Sequence, residues 1–262
     1  MNKKETIKII KKIFLDEKIK ENFIILHTSL IPFKIKSLEE VKLFWSILDK
    51  VIKNKYTIIM PSFSFNLGKK RTWDYKTTKS EMGIFTEYFR KKIAVKRSIH
   101  PFHSITCYGP LSNRIPDHIS QTSFGKKSTW EWLCKRKDVI NISIGTGLAG
   151  GATFVHYAEE MAEPPYRKFI DLNCKVYNRE GKRLEKKYRF FARKITKTFS
   201  AINYWKPVEN DLINNSIMKR KIINKIIITT KMNTYEATEF LSKRLKDNIF
   251  YMGNYEKNTK QN

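Results

Sequence analysis

His156 and Glu159 are the residues whose types and spacing most directly suggest catalysis. On a helix, a separation of three puts both side chains on one face. A carboxylate beside an imidazole orients the ring and stabilises its protonated form, which is what a general base needs. The same pair also occurs as an ordinary solvated contact, so spacing alone leaves both readings open. Just upstream, Gly145-Thr146-Gly147-Leu148-Ala149-Gly150 has the glycine spacing of a dinucleotide-binding turn. Glycines after a strand and before a helix let the backbone approach a pyrophosphate. However, the run lies past the middle of the chain, and no acidic residue closes the strand that should follow it. Asp171 stands at the right distance but ahead of that strand. A tight turn requiring positive φ would use the same glycines. His100 and His103 have His-x-x-His spacing, but Pro101 breaks helical geometry and no Cys or Asp lies nearby, so no metal is expected. Arg97, Ser98 and His100 instead suit an anion through charge-assisted hydrogen bonds. His118 is expected on a surface turn, Cys107 packed in a strand, and Phe44 and Trp45 in the core.

These residues need elements to carry them. Ile7, Ile10, Ile13 and Phe14 recur at helical spacing, so the chain opens on an amphipathic helix. Phe23-Ile24-Ile25-Leu26 reads as a strand running into a small polar turn, His27-Thr28-Ser29. Ser37-Leu38-Glu39-Glu40 has the capping-box pattern, and Leu38, Val41, Phe44, Trp45, Leu48, Val51 and Ile52 follow on one helix face. Tyr56 to Met60 is the next strand, stopped by Pro61. Residues 66–80 read as a polar loop, 83–92 as helix, and 105–108 and 138–144 as strands. The glycine run then feeds a helix over 152–161, which carries His156 and Glu159 and ends before Pro164-Pro165. Lys175 to Tyr177 and Tyr188 to Ile195, around the turn Asn178-Arg179-Glu180-Gly181, predict a hairpin. A helix near 209–218, a strand near 222–228 and a last helix capped by Asn233 follow, and 253–262 reads as a frayed tail. The pattern predicts one α/β domain over residues 1–262. Its mixed, mostly parallel central sheet is flanked by helices, with an antiparallel hairpin added in the C-terminal part.

Charge narrows the partners. Fifty-two Lys plus Arg against 25 Asp plus Glu give a formal +27, which attracts anions at long range. Lys, Ile and Asn are abundant together, however, so a coding bias spreading Lys over the surface gives the same total. No recognisable nucleic-acid motif accompanies the charge, so no specific nucleic-acid partner is expected. Cys107, Cys134 and Cys174 are an odd number without CxxC spacing, which fits a reducing compartment. Residues 1–20 are too charged for a signal peptide, and no apolar run approaches the roughly 20 residues of a membrane span. A cytoplasmic protein without a membrane partner is expected; the sequence carries no signal of oligomeric state.

Ordered motifs add a resemblance. His27-Thr28-Ser29-Leu30, Pro61-Ser62-Phe63-Ser64, Met82 to Arg90 and Arg97-Ser98-Ile99-His100-Pro101 with Ser104 and Gly109 come in sequence. Ser123-Phe124-Gly125, then Thr153-Phe154-Val155-His156-Tyr157-Ala158-Glu159, then Pro165-Tyr166-Arg167 complete the series. Together they resemble the aminoglycoside 3-N-acetyltransferase family, also called antibiotic N-acetyltransferases. The resemblance implies an α/β enzyme that moves acetyl from acetyl-CoA to an amine, with no covalent enzyme intermediate and no metal. Under it, Thr28, Ser29 and Leu30 offer amides to the CoA pyrophosphate. Ser64, Arg97, Ser98, His100, Ser104 and Gly125 lie along the CoA site. His156 is the general base, Glu159 orients it, and Glu160, Glu163, Tyr166 and Arg167 bind the small-molecule amine acceptor. Two departures stand out. Lys91 to Lys96 lacks the family's Pro-Gly, and Gly147 to Ala152 lacks the Asp and Asn that usually precede Thr-x-x-His. With the positive charge, the second departure favours an anionic acceptor, a nucleotide-linked or glycan-precursor amino sugar, over a polycationic antibiotic. Aminoglycoside acetylation conferring resistance is the alternative, and a dinucleotide oxidoreductase a distant one.

Overall fold

The computed structural model describes residues 3–15, 19–66, 71–195, 199–203, 205–224 and 227–257. The helices are α1 (Lys3–Phe14), α2 (Leu38–Ile52), α3 (Ile84–Lys92), α4 (Thr129–Cys134), α5 (Leu148–Gly151), α6 (Val155–Ala162), α7 (Trp205–Asn214) and α8 (Thr234–Asp247). The strands are β1 (Phe23–Thr28), β2 (Thr57–Pro61), β3 (Thr72–Asp74), β4 (Lys96–Arg97), β5 (Ile105–Tyr108), β6 (Val139–Ile144) and β7 (Arg167–Leu172). They continue with β8 (Lys175–Tyr177), β9 (Arg183–Leu184), β10 (Tyr188–Arg193), β11 (Phe199–Asn203), β12 (Met218–Ile223), β13 (Ile227–Asn233) and β14 (Gly253–Lys257).

Seven strands make the central mixed sheet, in the order β12-β13-β6-β1-β2-β5-β4. Its core is parallel: β1 runs alongside β2 on one side and β6 on the other. The outer strands join antiparallel. Side chains alternate across each strand, and that alternation sorts the core into two layers. Ile24 and Leu26 of β1, Ile58 and Met60 of β2, and Ile142 and Ile144 of β6 pack against α1, α2 and α3. Phe23 and Ile25 pack on the other face, against α4, α6 and α8. Register pairs Ile25 with Asn141 and His27 with Ser143, so those residues share the α6 face. Parallel strands buried on both faces explain the unbroken Phe23-Ile24-Ile25-Leu26 run.

The predicted capping box is present: the Glu40 amide donates to Ser37 Oγ and the Ser37 amide to Glu40 Oε2. Phe44, Trp45 and Cys107 are buried. Elsewhere the structure corrects the reading. His27 and Thr28 are not a turn but the end of β1. The loop at 66–80 contains β3, which pairs with β8. The turn at Asn178–Gly181 does make a hairpin, but from β8 and the short β9; β10 pairs antiparallel with β7 instead. The apolar run at 222–228 is not one strand. Ile222 and Ile223 end β12 and Ile227 opens β13, which pairs with it antiparallel; Asn224, after β12, has φ +50, a left-handed conformation that Asn tolerates where β-branched residues do not. The helix expected at 209–218 begins earlier, at Trp205, because Pro207 fits a first turn whose amides need no partner. Gly253–Lys257, expected to fray, pairs with β11; residues 258–262 lie outside the described residues. Among the described residues no helix is long and apolar enough to cross a membrane.

Candidate active site

Helix α6 is only eight residues long and is anchored by Val155 and Ala158 in the core. It ends where Glu163 turns left-handed at φ +48 and returns its amide to the Glu159 carbonyl. The helix presents His156 partly to solvent and Glu159 to the interior, their side chains 23% and 0% exposed. His156 Nδ1 lies 2.7 Å from Glu159 Oε2. Arg167, at the start of β7, grips the same carboxylate with two donors: Nε to Oε1 at 3.0 Å and Nη2 to Oε2 at 2.7 Å. Burial alone would raise the Glu159 pKa. The interactions with His156 and Arg167 outweigh it and bring the carboxyl down to about 2. Glu159 is therefore a fixed anion, and Nε2 is the ring nitrogen left for a substrate. Phe124 and Trp205 flank the imidazole, ring centres 5.7 and 5.6 Å away.

A small cleft of about 110 Å³ opens at the carboxyl ends of β1, β2 and β6, where open α/β sheets bind ligands. His27, Thr28, Ser29, Pro61, Thr146 and Gly150 help line it. Thr28 Oγ1 is buried there without a hydrogen-bond partner. The Ser29 amide is already committed to the Ile144 carbonyl at 2.8 Å, and Leu30 is buried at the entrance to the 3-10 turn Ile31–Phe33. The adjoining glycine run serves packing. Gly145 has φ +79, and a Cβ there would stand 2.5 Å from the Ser29 carbonyl.

The Arg97 group lies elsewhere and faces inward. Arg97 donates to the carbonyls of Ser62, Tyr75 and Thr78 and to Ser104 Oγ. Ser98 Oγ accepts the Ile105 amide, and Ser64 Oγ donates to the Lys79 carbonyl. His100 Nδ1 accepts the Phe102 and His103 amides. These side chains, expected along a cofactor site, are buried; Arg97 and Ser98 tie β4 to β5 and to the residue after β2, and Ser64 and His100 pin nearby loops. His118, expected on a surface turn, is buried with its ring 4.6 Å from His100. Burial holds its pKa down to about 4. Among the described residues no group of three or more His, Cys, Asp or Glu side chains is placed to hold a metal.

The expected acceptor residues also separate. Arg167 is drawn into the dyad. Tyr166 is buried near Glu159, and burial raises its phenol well above the usual range. Glu160 turns inward, accepting bonds from the Thr122 hydroxyl and the Phe124 amide. Burial raises its pKa to about 7 despite both bonds. A Cβ on Gly125 would stand 2.2 Å from Thr122 Oγ1. Of the four, Glu163 is the exposed one. Sequence reasoning missed the carboxylate-holding role of Arg167, the Thr122–Glu160 tie and the flanking Trp205. Arg167 and Glu160 carried a signal, both being charged within a short reach of an apolar helix. Thr122 and Trp205 come from distant elements and carried none.

The family model for aminoglycoside 3-N-acetyltransferase matches residues 25–245. The chain belongs to that family. It is accordingly an acyltransferase. The SPbeta prophage-derived aminoglycoside N(3')-acetyltransferase-like protein YokD of Bacillus subtilis (strain 168) is 27% identical over 189 residues, 63% of this chain and 67% of that one. The crystal structure of YokD aligns over 94% of both chains with a TM-score of 0.71 and 22% identity. Aminoglycoside acetyltransferase AAC(3)-Xa aligns with a TM-score of 0.75 at 14% identity, over 94% of this chain and 93% of that one. AAC-VIa bound to sisomicin aligns at 0.72 and 16%, over 94% and 98%. At these identities the solved structures establish the shared fold.

Proposed function

We propose that this acyltransferase moves acetyl from acetyl-CoA to a primary amine of an amino sugar, with His156 as general base, working as a single α/β domain. The observation that carries the reading is the His156–Glu159–Arg167 constellation: a partly exposed imidazole whose Nδ1 is held 2.7 Å from an ionised, bidentately clamped carboxylate. An ammonium has no lone pair, so the acceptor must shed a proton before it attacks. His156 Nε2 is placed to take it. The fixed Glu159 charge stabilises the resulting imidazolium, and Arg167 keeps Glu159 from accepting the proton itself. Acetyl-CoA, when bound, supplies an acetyl thioester. The strand-end cleft fits its narrow polar portion, since Thr28 Oγ1 is buried there without a partner and Gly145 keeps the turn close to Ser29. The Arg97 network holds the Ser62 carbonyl, one residue beyond Pro61 at the edge of the cleft.

For the acceptor, the relatives favour an aminoglycoside: one is named for that activity and another is bound to sisomicin. A second reading, an anionic nucleotide-linked amino sugar, is favoured by the +27 charge. A thiol-release assay with acetyl-CoA tests both the activity and the acceptor. Wild type should release thiol with at least one amino sugar, and His156→Ala should lower kcat by about 100- to 10,000-fold with folding intact. Unchanged kcat in His156→Ala would remove the base assignment. Turnover of aminoglycosides far above that of nucleotide amino sugars would remove the second reading.

A further inference from the structure

Three of the polar side chains on the sheet face beneath α6 are His27 on β1, and Asn141 and Ser143 on β6. All are buried. Each reaches to the segment that leads into α6. Ser143 Oγ donates to the Thr146 carbonyl at 2.8 Å, and Asn141 Nδ2 to the Gly151 carbonyl at 2.7 Å. His27 Nε2 meets the Thr153 hydroxyl at 3.1 Å. Two of these bonds hold backbone, which suffices to pin a segment. The third holds a side-chain hydroxyl on a half-exposed residue, which fixes the direction of a functional group. Burial lowers the His27 pKa to about 4, so the ring is neutral at ordinary pH and forms a directional hydrogen bond rather than an ion pair.

Position gives that hydroxyl its meaning. His27 also lines the strand-end cleft. Thr153 lies one turn before His156, whose amide donates to the Thr153 carbonyl at 3.2 Å. Thr153 is thus bonded to a cleft-lining residue on one side and to the turn that carries the general base on the other. We propose that His27 is a positioning residue of the acetyl-transfer site, holding the Thr153 hydroxyl where it hydrogen-bonds the reacting groups. The inference rests on the acetyltransferase reading above. A hydroxyl can bond His27 and still offer a second direction to a ligand, and preorienting such a group avoids reorganisation during the reaction.

The test compares His27→Leu, Thr153→Val, the double variant, and the conservative His27→Gln and Thr153→Ser, all in the thiol-release assay. Gln carries a side-chain amide that can still bond Thr153. Expected is a roughly 10- to 100-fold loss of kcat in His27→Leu and Thr153→Val, with KM for acetyl-CoA within about twofold. Gln and Ser should recover most of the loss, and the double variant should be no worse than Thr153→Val, as two residues acting through one contact require. Wild-type kcat in His27→Leu, multiplicative losses in the double variant, or His27→Gln no better than His27→Leu would each overturn the proposal. If His27→Leu does not fold, the Val/Ser comparison at Thr153 together with His27→Gln decides. An inactive wild type would instead sink the acetyltransferase reading, a result distinct from an active enzyme indifferent to His27.

Discussion

Glu159 and Glu160 are sequence neighbours of identical chemistry, and the fold sends them in opposite electrostatic directions. Glu159 meets His156 and Arg167 and is held ionised. Glu160 meets a hydroxyl and one backbone amide, too little to offset burial, and its pKa rises to about 7. The second has a consequence for stability. An unfolded glutamate titrates near 4.3. Between that value and about 7 the folded protein binds one more proton at Glu160 than the unfolded chain does, so stability falls as pH rises through that window and levels off above it. The total is up to about 4 kcal/mol. Glu160→Gln, neutral throughout, should lack this slope and be more stable than wild type at pH 8. Melting temperatures of both proteins from pH 5 to 8 check this; parallel curves would contradict it.

Glu160 ties a surface segment to α6, and Gly125 sits against that tie. The segment 118–128 reaches α6 through Glu160, which accepts from the Thr122 hydroxyl and the Phe124 amide. Thr122 Oγ1 also accepts the Gly125 amide at 3.0 Å. A methyl at residue 125 would overlap Thr122 Oγ1 and stand 3.0 Å from Glu160 Oε1. Gly125→Ala should therefore cost about 1–3 kcal/mol and loosen Phe124 from its place beside His156. Urea denaturation measures the first effect; a midpoint equal to that of wild type would show that the segment yields freely. The sequence marked Gly125 only as part of a motif. Its physical reason, lack of space beside two side chains from other elements, is a tertiary fact. Element types were more legible. Periodicity located α1, α2, α3, α6 and α8 and the buried strands, because an apolar stripe must face a core wherever that core lies. Pairing was less legible: β10 prefers β7 to β8, and the apolar run around Asn224-Lys225 is shared between β12 and β13.

Over the whole molecule, the +27 charge acts on any charged acceptor before contact. A polycation is repelled, so its kcat/KM should rise as salt screens the field; an anionic amino sugar should show the reverse. Assays between about 20 and 200 mM NaCl, spanning Debye lengths from about 20 Å to below 10 Å, read the sign directly. Salt-independent kcat/KM for both would place the charge away from the approach path. At this scale the division between sequence and structure is plain. From sequence alone came the α/β class, the family resemblance and the His156–Glu159 pair, because each depends on local pattern or on ordered motifs. Tertiary structure alone decided what surrounds that pair. It set Arg167 as a two-donor clamp on Glu159, and it tied Arg97, Ser98, His100 and Ser104 into buried hydrogen bonds with the protein itself. It also placed His27 beneath Thr153. Burial and hydrogen bonding between residues from about 8 to 126 positions apart set these roles, and no local pattern encodes which distant partner a buried polar group will find.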